Sequence, residues 1–419
     1  MSRFPAPNAL LQTNLVLQGG LYLLVASIPF EYPERTIPLE IPTLTGAVFL
    51  LVTLLYPKRC YGRLPAAALW FGAYVVIMLL CILLGQRERA AEALTDYVVL
   101  LQGVIVFLAA GNLMRDERVA RRALVTLVAA CSIRAALPLL GFGRTTSAVW
   151  TGGERISALG QNANSAAMIL AAGLVALIGL ILMHRRKTFT GLVFAGGLGI
   201  LMGTAILETG SRGGLASLLG GVMVLALAAD TWRQRLRNGA IALLAISLLT
   251  FAALQLPVMK NRLRDAATTG NLAGREQLFP ALWNMFLEKP VLGWGPVTNN
   301  YELALRVGTR DRGSRAAHNL ILELLSAGGL VLTITFSIGA WLSAQGAWRA
   351  RRGDHGVLPL ALLCSLFLAN MSGEWGASKL LWLVLAYAVV SGRWQAPLLR
   401  SVPVRSRPWV MTLPSAVRD

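Results

Sequence analysis

Long apolar blocks separated by short charged stretches run along the chain of 419 residues. A helix needs roughly 20 apolar residues to cross the hydrocarbon core of a bilayer, and blocks of about that length recur here. Lipid offers no partner for an unpaired backbone amide, so a helix is the structure that such a block adopts. The pattern predicts an all-α integral membrane protein with about twelve transmembrane helices, near 10–30, 42–56, 65–85, 97–114, 123–141, 163–183, 189–208, 215–230, 239–256, 319–345, 357–370 and 379–392.

One long polar loop separates the ninth and tenth predicted spans. Apolar positions recur at helical spacing over 275–288, and Pro290 is expected to end that helix. A second short helix is predicted over 299–307, after a turn at "LGWGP". The predicted organisation is therefore transmembrane helices 1–9 over 1–256, the loop over 257–318, transmembrane helices 10–12 over 319–392 and a tail over 393–419.

Basic residues are distributed unequally between the two sets of loops. One set, with both chain ends, holds 22 of the 39 basic residues, whereas the short loops of the other set hold six. Since lysine and arginine concentrate on the cytoplasmic side, the first set is expected there, together with both termini. The long loop is then expected on the non-cytoplasmic side of the membrane.

Composition narrows the function further. Charged residues make up 14% of the chain and the net charge is +19, but the basic residues sit in clusters beside apolar blocks. Anchoring to membrane lipids explains this pattern better than nucleic-acid binding does. The sequence contains no DxD, HExxH, paired-histidine or Walker-type motif, so we expect no metal and no cofactor.

His318 is one of three histidines, and the expected topology places it on the non-cytoplasmic side, with His184 and His355 on the cytoplasmic side. A neutral imidazole can take a proton from a hydroxyl group, so His318 is a candidate general base. The alternative is an interfacial residue that caps the tenth span.

Arginines form the second group of candidates. Arg212, in "SRGG", opens the eighth span, where a helix N-terminus, two glycines and a guanidinium together suit an anion. Arg275 is the first residue of the predicted helix of the long loop, so it too combines a helix N-terminus with a guanidinium group that suits an anion. For both, the alternative is an ordinary interfacial or surface charge.

Polar residues before the sixth span are weaker candidates. Asn162 and Asn164 can bond sugar hydroxyls or phosphate oxygens, or can cap a helix. Arg155 precedes them. Arg134, inside the fifth span, is either functional or extends outward to the interface. With nine basic and five acidic residues, the long loop favours an anionic partner such as a lipid pyrophosphate.

Four stretches, in order, resemble motifs of the O-antigen ligase and polymerase superfamily. They are "RISALGQNANSAA" at 155–167, with Ala158 and Ala163 where glycine and proline are common, "SRGG" at 211–214, "GREQLFPALWNMFLEKPVLGWG" at 274–295 and "HNLILELLSAGG" at 318–329. This resemblance implies an O-antigen ligase that transfers a glycan from undecaprenyl pyrophosphate to a sugar hydroxyl of lipid A-core. Transfer would be direct, inverting and independent of metal.

The resemblance also implies roles for individual residues. His318 would activate the hydroxyl, and Arg212 and Arg275 would hold the pyrophosphate. The remaining candidate substrate-binding residues are Arg155, Asn162, Asn164, Ser211, Gly213, Arg315 and Asn319.

Alternatives remain open. An O-antigen polymerase uses the same donor with a lipid-linked acceptor, and a protein O-oligosaccharyltransferase transfers to Ser or Thr. A transporter of lipid-linked glycans is an alternative from another class of protein. Transporters tend to show charged residues near the midplane of the bilayer and two related halves of the sequence, and neither feature is evident here.

Overall fold

The computed structural model is almost entirely helical. It describes residues 15–31, 40–85, 87–147, 154–183, 188–227, 232–270, 274–308, 313–373 and 376–394. His184, Arg310, Arg312 and the tail from residue 395, which figured in the topology and charge predictions, lie outside the described residues.

An α-helix lies at each of the twelve predicted positions. In chain order these helices are α1 (Leu15–Ser27), α2 (Ile41–Leu54), α4 (Ala66–Leu84), α5 (Ala90–Leu113), α6 (Glu117–Leu139), α7 (Ala163–Met183), α8 (Phe189–Glu208), α9 (Arg212–Leu227), α10 (Trp232–Gln255), α14 (Leu320–Ala350), α15 (Leu358–Asn370) and α16 (Lys379–Ser391). The remaining described α-helices are α3 (Pro57–Cys60) and three in the long loop, namely α11 (Pro257–Thr269), α12 (Arg275–Glu288) and α13 (Thr298–Arg306).

Six of these helices are long and apolar enough to cross a membrane, namely α4, α5, α6, α7, α8 and α14. Five shorter apolar helices accompany them: the first, which with its 3-10 extension covers 15–30, then α2, α9, α15 and α16. Large apolar side chains such as Leu51, Leu83 and Phe194 are exposed on their outer faces, which suits a lipid environment. An all-α, multi-pass membrane protein is thereby confirmed, while the count of twelve spans remains a prediction.

The helices of the centre approach closely through small residues. A Cβ atom at Gly214 of α9 would lie 2.4 Å from the Cβ of Ala167 in α7. At Gly221 it would lie 2.6 Å from Val175 of α7. Small residues allow this approach, which replaces the hydrophobic driving force that lipid cannot supply. The packing fixes α9, and with it Arg212 at its first turn, against the largely buried helix α7.

The loop helices follow the predicted pattern in part. Leu278, Leu282 and Met285 of α12 are buried, as their spacing predicts, and the helix ends at Glu288, before Pro290. By contrast, α11 is a helix that the polar sequence over 257–269 had not suggested. A two-stranded antiparallel hairpin, β1 (Arg144–Ser147) with β2 (Arg155–Ala158), was also not predicted.

Backbone hydrogen bonds join the turn of the long loop over 290–295 to the first part of α14, and we call this connection the interlock. The N–H groups of Trp294 and Gly295 donate to the carbonyls of Ser326 and Ala327, at 2.8 and 2.9 Å. α14 is kinked at Gly329, whose φ is 62° and ψ is −159°. A Cβ at Gly329 would lie 2.3 Å from the carbonyl oxygen of Val291, so the two glycine-containing turns touch backbone to backbone.

Candidate functional site

The turn that begins α9 is held by its own side chains. Ser211 Oγ accepts a hydrogen bond from the N–H of Gly214 at 3.1 Å, and Thr209 Oγ1 accepts from the N–H of Ser211 at 3.1 Å. A Cβ at Gly213 would lie 2.0 Å from the Oγ of Ser372. Both glycines of "SRGG" are therefore explained by helix packing, and Ser211 by capping. Contact of Ser211 or Gly213 with substrate stays a prediction.

Arg212 leans from this turn towards the long loop. Its Nη1 donates a hydrogen bond to the backbone carbonyl of Arg262 in α11, at 3.2 Å. The Arg262 side chain is 5% exposed, and its Nε and Nη1 have no hydrogen-bond partner among the described residues. Burying guanidinium nitrogens without a hydrogen-bond partner costs folding free energy, and such groups are common where an anionic ligand binds.

Arg275, at the first position of α12, completes this group. Its Nη2 donates to the backbone carbonyl of Ser372 at 3.0 Å, and the side chain of the same Ser372 packs on Gly213. Burial, and after it the charges of Arg212 and Arg275, together lower the pKa of Arg262 to about 10. Burial and then the charge of Arg212 also lower the pKa of Arg275. The three guanidinium groups thus share one partly buried volume.

His318 lies at the edge of this volume. Burial lowers the pKa of its imidazole to about 4, with added contributions from the charges of Arg275 and Arg315. The ring is therefore neutral at pH 7. Among the described residues the imidazole has no hydrogen-bond partner. We call Arg212, Arg262, Arg275 and Arg315 the arginine cluster, which His318 adjoins.

The backbone around His318 is specialised. His318 has a φ of 51°, a left-handed conformation that is uncommon for a residue other than glycine. The next residue, Asn319, caps α14, because its Oδ1 accepts from the N–H groups of Ile321 and Leu322 at 3.0 and 3.1 Å. The cap belongs to Asn319, so capping is not what holds the imidazole in place. Such strain is typical of functional positions.

Arg315 approaches from the same segment. Its N–H donates to the carbonyl of Asn300 at 2.9 Å, and its side-chain Nε is buried without a hydrogen-bond partner among the described residues. Arg315 had been predicted only as a substrate-binding residue. The structure brings it within electrostatic reach of His318.

The predicted residues before α7 support the cluster from outside. Arg155 Nε donates to the carbonyl of Thr209 at 2.8 Å, and its Nη2 donates to Oδ1 of Asn164 at 2.7 Å. Oδ1 of Asn162 accepts from the N–H of Asn164 at 2.8 Å, at the start of α7. These contacts orient the turn before Arg212, so a positioning role for Arg155 and Asn164, and a capping role for Asn162, explain their geometry.

Arg134 does not extend outward to the interface. Its side chain is 2% exposed, and its Nη2 donates to the carbonyl of Ala158 at 2.9 Å and to Oε1 of Gln161 at 2.6 Å. Arg134 therefore fastens the end of β2 to α6, which is a structural task.

Arg262 was missed as a candidate. The sequence places it three residues after Met259, on the same face of a helix, and Met259 is fully buried. Recognition of α11 as a helix would have pointed Arg262 inward. Ser372 carried no side-chain signal, because its backbone carbonyl holds Arg275.

Guanidinium groups and a neutral imidazole at one end of a bundle of apolar helices are an arrangement that suits an anion carried by a lipid. Residues 197–337 match the family described as O-antigen ligase, a stretch that contains the whole arginine cluster and His318. Over this stretch the match confirms the predicted relationship to that family, which implies an enzyme of the glycosyltransferase or ligase type. A search of the curated proteins finds no match.

Proposed function

We propose that the protein is an O-antigen ligase, which transfers a glycan from undecaprenyl pyrophosphate to a sugar hydroxyl of lipid A-core on the periplasmic face of the inner membrane. The observation that carries this proposal is the convergence of Arg212, Arg262 and Arg275 beside a neutral imidazole. Guanidinium groups fit the planar, bidentate geometry of phosphate oxygens.

The arginine cluster would act on the leaving group. During transfer the bond between the anomeric carbon and the pyrophosphate oxygen breaks, and undecaprenyl pyrophosphate departs with the electron pair. Guanidinium groups already fixed by the carbonyls of Arg262 and Ser372 would stabilise that negative charge without rearrangement. Breaking a glycosyl pyrophosphate is favourable, so the scheme requires no nucleotide.

His318 would act on the acceptor. The acceptor oxygen forms the new bond to the anomeric carbon from the face opposite the pyrophosphate, which inverts that carbon, and its proton passes to the imidazole. In the free protein burial, and after it the positive charges of Arg275 and Arg315, lower the pKa of His318 and make it a weak base. A bound pyrophosphate would offset those charges and raise the pKa, so the base would strengthen when the donor is in place.

The proposed orientation follows from the distribution of basic residues, with both termini in the cytoplasm and the loop over 257–318 in the periplasm. Arg212, Arg275 and His318 then lie on the side where O-antigen is joined to its acceptor. The same site would also suit a polymerase, and the nature of the acceptor distinguishes the two.

Reconstitution tests the proposal. The purified chain, supplied with undecaprenyl-pyrophosphate-linked glycan and lipopolysaccharide that lacks O-antigen, should produce the ligated ladder with and without chelator. A strain that lacks the protein should retain core but lose the whole ladder, whereas loss of a polymerase would leave core plus one repeat unit. Joining of donor glycans to each other, with no transfer to core, would refute the proposal.

A further inference from the structure

A cavity of about 510 Å³ adjoins the arginine cluster and is not part of it. Its walls come from α4, α5, α13 and the beginning of α14, and its polar lining includes Glu92, Asp96, Glu323, Asn299 and Asn300. Its size falls within the usual range for ligand sites, about 300–1,000 Å³. Tyr74 contributes an aromatic wall.

The segment that carries His318 separates the cavity from the arginine cluster. On one side, Arg315 and His318 interact electrostatically. On the other, Leu320 lines the cavity, and Asn300, which also lines it, accepts the backbone hydrogen bond of Arg315 at 2.9 Å. The cavity therefore reaches the backbone on both sides of His318, at Leu320 and, through Asn300, at Arg315, so a ligand bound in it would lie next to the segment that carries the imidazole.

The charge of the cavity is opposite to that of the cluster. The chain has 39 basic and 20 acidic residues, yet three carboxylates and no lysine or arginine are found among the described residues of this lining. Arg89 lies at the rim, 3.7 Å from the ring of Tyr301, whose hydroxyl donates to Glu92 at 3.2 Å. A phosphate would be repelled from such a lining.

A metal ion does not explain these carboxylates. Within the described part of the chain, no three acidic, histidine or cysteine side chains are placed so that they could hold one ion. Glu92 and Asp96 lie one helical turn apart on α5 and Glu323 lies on α14, an arrangement that suits a larger ligand with several hydroxyl groups. The side-chain Oδ1 of Asn300 is buried and lacks a hydrogen-bond partner among the described residues, so the lining also offers an unused acceptor.

We propose that this cavity binds the acceptor, and that the sugar which enters it carries hydroxyl or amino groups and no phosphate. Carboxylates accept hydrogen bonds from hydroxyls and attract ammonium groups, and an aromatic ring suits the apolar face of a sugar. This inference rests on the proposed function, because it assigns the second substrate of the same reaction. The two substrates are then sorted by charge, with pyrophosphate on the arginines and the unphosphorylated sugar on the carboxylates.

Equilibrium binding to the full chain in nanodiscs tests the assignment without turnover. The first variant is Glu92→Gln with Asp96→Asn, both exposed positions where replacement leaves packing intact. Glu323→Gln is a second, independent variant. Each should weaken binding of lipopolysaccharide that lacks O-antigen about tenfold or more, and should leave binding of undecaprenyl pyrophosphate unchanged.

Glu302→Gln is the matched control, because Glu302 lies on α13 beside the cavity wall but pairs with Arg306 at 2.9 Å. It should change neither affinity. Arg212→Ala should show the opposite pattern, with weakened undecaprenyl pyrophosphate binding alone. Unchanged lipopolysaccharide binding in both cavity variants, or a loss of undecaprenyl pyrophosphate binding, would overturn the inference.

Competition identifies the chemistry of the entering sugar. Core oligosaccharides that end in a hexose or an aminohexose should displace labelled lipopolysaccharide, and the same oligosaccharide that ends in a hexose phosphate should displace it at least tenfold less well. Stronger displacement by the phosphate would contradict the assignment. Transfer by the unaltered protein is scored separately, so its absence would refute the proposed function and not the binding site.

Discussion

Arg212 donates a hydrogen bond from Nη1 to the backbone carbonyl of Arg262 at 3.2 Å, so one cation of the cluster is anchored on the residue that supplies another. The bond places two guanidinium groups together although they repel each other. Arg212 and Arg275 are each fixed by a backbone carbonyl. The fold therefore maintains this repulsion between the guanidinium groups, and an anion bound as proposed would relieve it.

Removing either anchored arginine should abolish most of the transfer. Arg212→Ala and Arg275→Ala are each expected to lower kcat/KM by roughly 10² to 10³, because a preorganised donor to the leaving charge is lost. Initial rates of glycan transfer to purified core measure the effect. Arg264→Ala, at an exposed position of α11, is the control and should retain the full rate. Equal losses in all three variants would argue against a specific role for the cluster.

Replacing Arg262 should separate stability from activity. Arg262→Met removes a buried cation whose Nε and Nη1 are unpartnered among the described residues, while the backbone carbonyl that Arg212 needs remains. We expect the melting temperature in detergent to rise or stay level, since an apolar side chain is often neutral or stabilising at such a site. Donor affinity should fall about tenfold, as expected for loss of a hydrogen bond to a charged group.

Arg264→Met provides the comparison for that experiment, because it removes an exposed cation from the same helix. It should leave donor affinity unchanged. A marked fall in melting temperature for Arg262→Met with unchanged donor binding would show that Arg262 is a structural residue.

The pH dependence of glycan transfer should follow the protonation state of the His318 imidazole. Its pKa of about 4 in the free protein means that the imidazole becomes protonated only below that pH, so kcat/KM should be level above about pH 5 and fall below pH 4. Donor binding offsets the positive charges of Arg275 and Arg315, which raises the pKa. The acidic limb of kcat should therefore lie at higher pH than the limb of kcat/KM, in a profile measured with purified substrates.

His318→Ala should remove both acidic limbs together with most of the rate, by roughly 10² or more. Retention of either limb in this variant would assign it to another group. A kcat limb at lower pH than the kcat/KM limb would contradict the role of the donor in strengthening the base.

Gly329 should tolerate no side chain. Its backbone, with φ 62° and ψ −159°, costs another residue about 1–3 kcal/mol, and a Cβ would in addition lie 2.3 Å from the carbonyl oxygen of Val291. Gly329→Ala is expected to lower the melting temperature strongly or to prevent folding. Gly270→Ala is the matched control, because Gly270 has a φ of 66° and nothing within 4 Å of the added atom. Similar losses in the two variants would show that contact with Val291 is unimportant.

The helices followed directly from apolar block length, because lipid leaves the backbone no other way to satisfy its hydrogen bonds. The burial of Leu278, Leu282 and Met285 was predictable from their helical spacing. The hairpin was not, since β1 and β2, "RTTS" and "RISA", show no clear alternation of apolar and polar positions.

Motifs in the sequence singled out Arg212, Arg275 and His318, which the structure brings together, and their roles in the reaction stay predictions. The sequence could not predict contacts made by a backbone group, such as the carbonyl of Ser372 that accepts a hydrogen bond from Arg275. Nor could it predict contacts between residues distant in sequence, such as Arg212 and Arg262. The structural roles of Arg134 and Asn162 depend on partners that only the fold brings near.

The interlock between the turn at Trp294 and the kink of α14 has a mechanical consequence. Four backbone hydrogen bonds cross it, two from Trp294 and Gly295 to α14 and two from Leu330 and Val331 back to Pro290 and Val291. The first turns of α14 therefore cannot tilt without carrying this part of the loop. A shift of the loop at Trp294 would therefore move the start of α14, and His318, which lies two residues before that helix, would move with it.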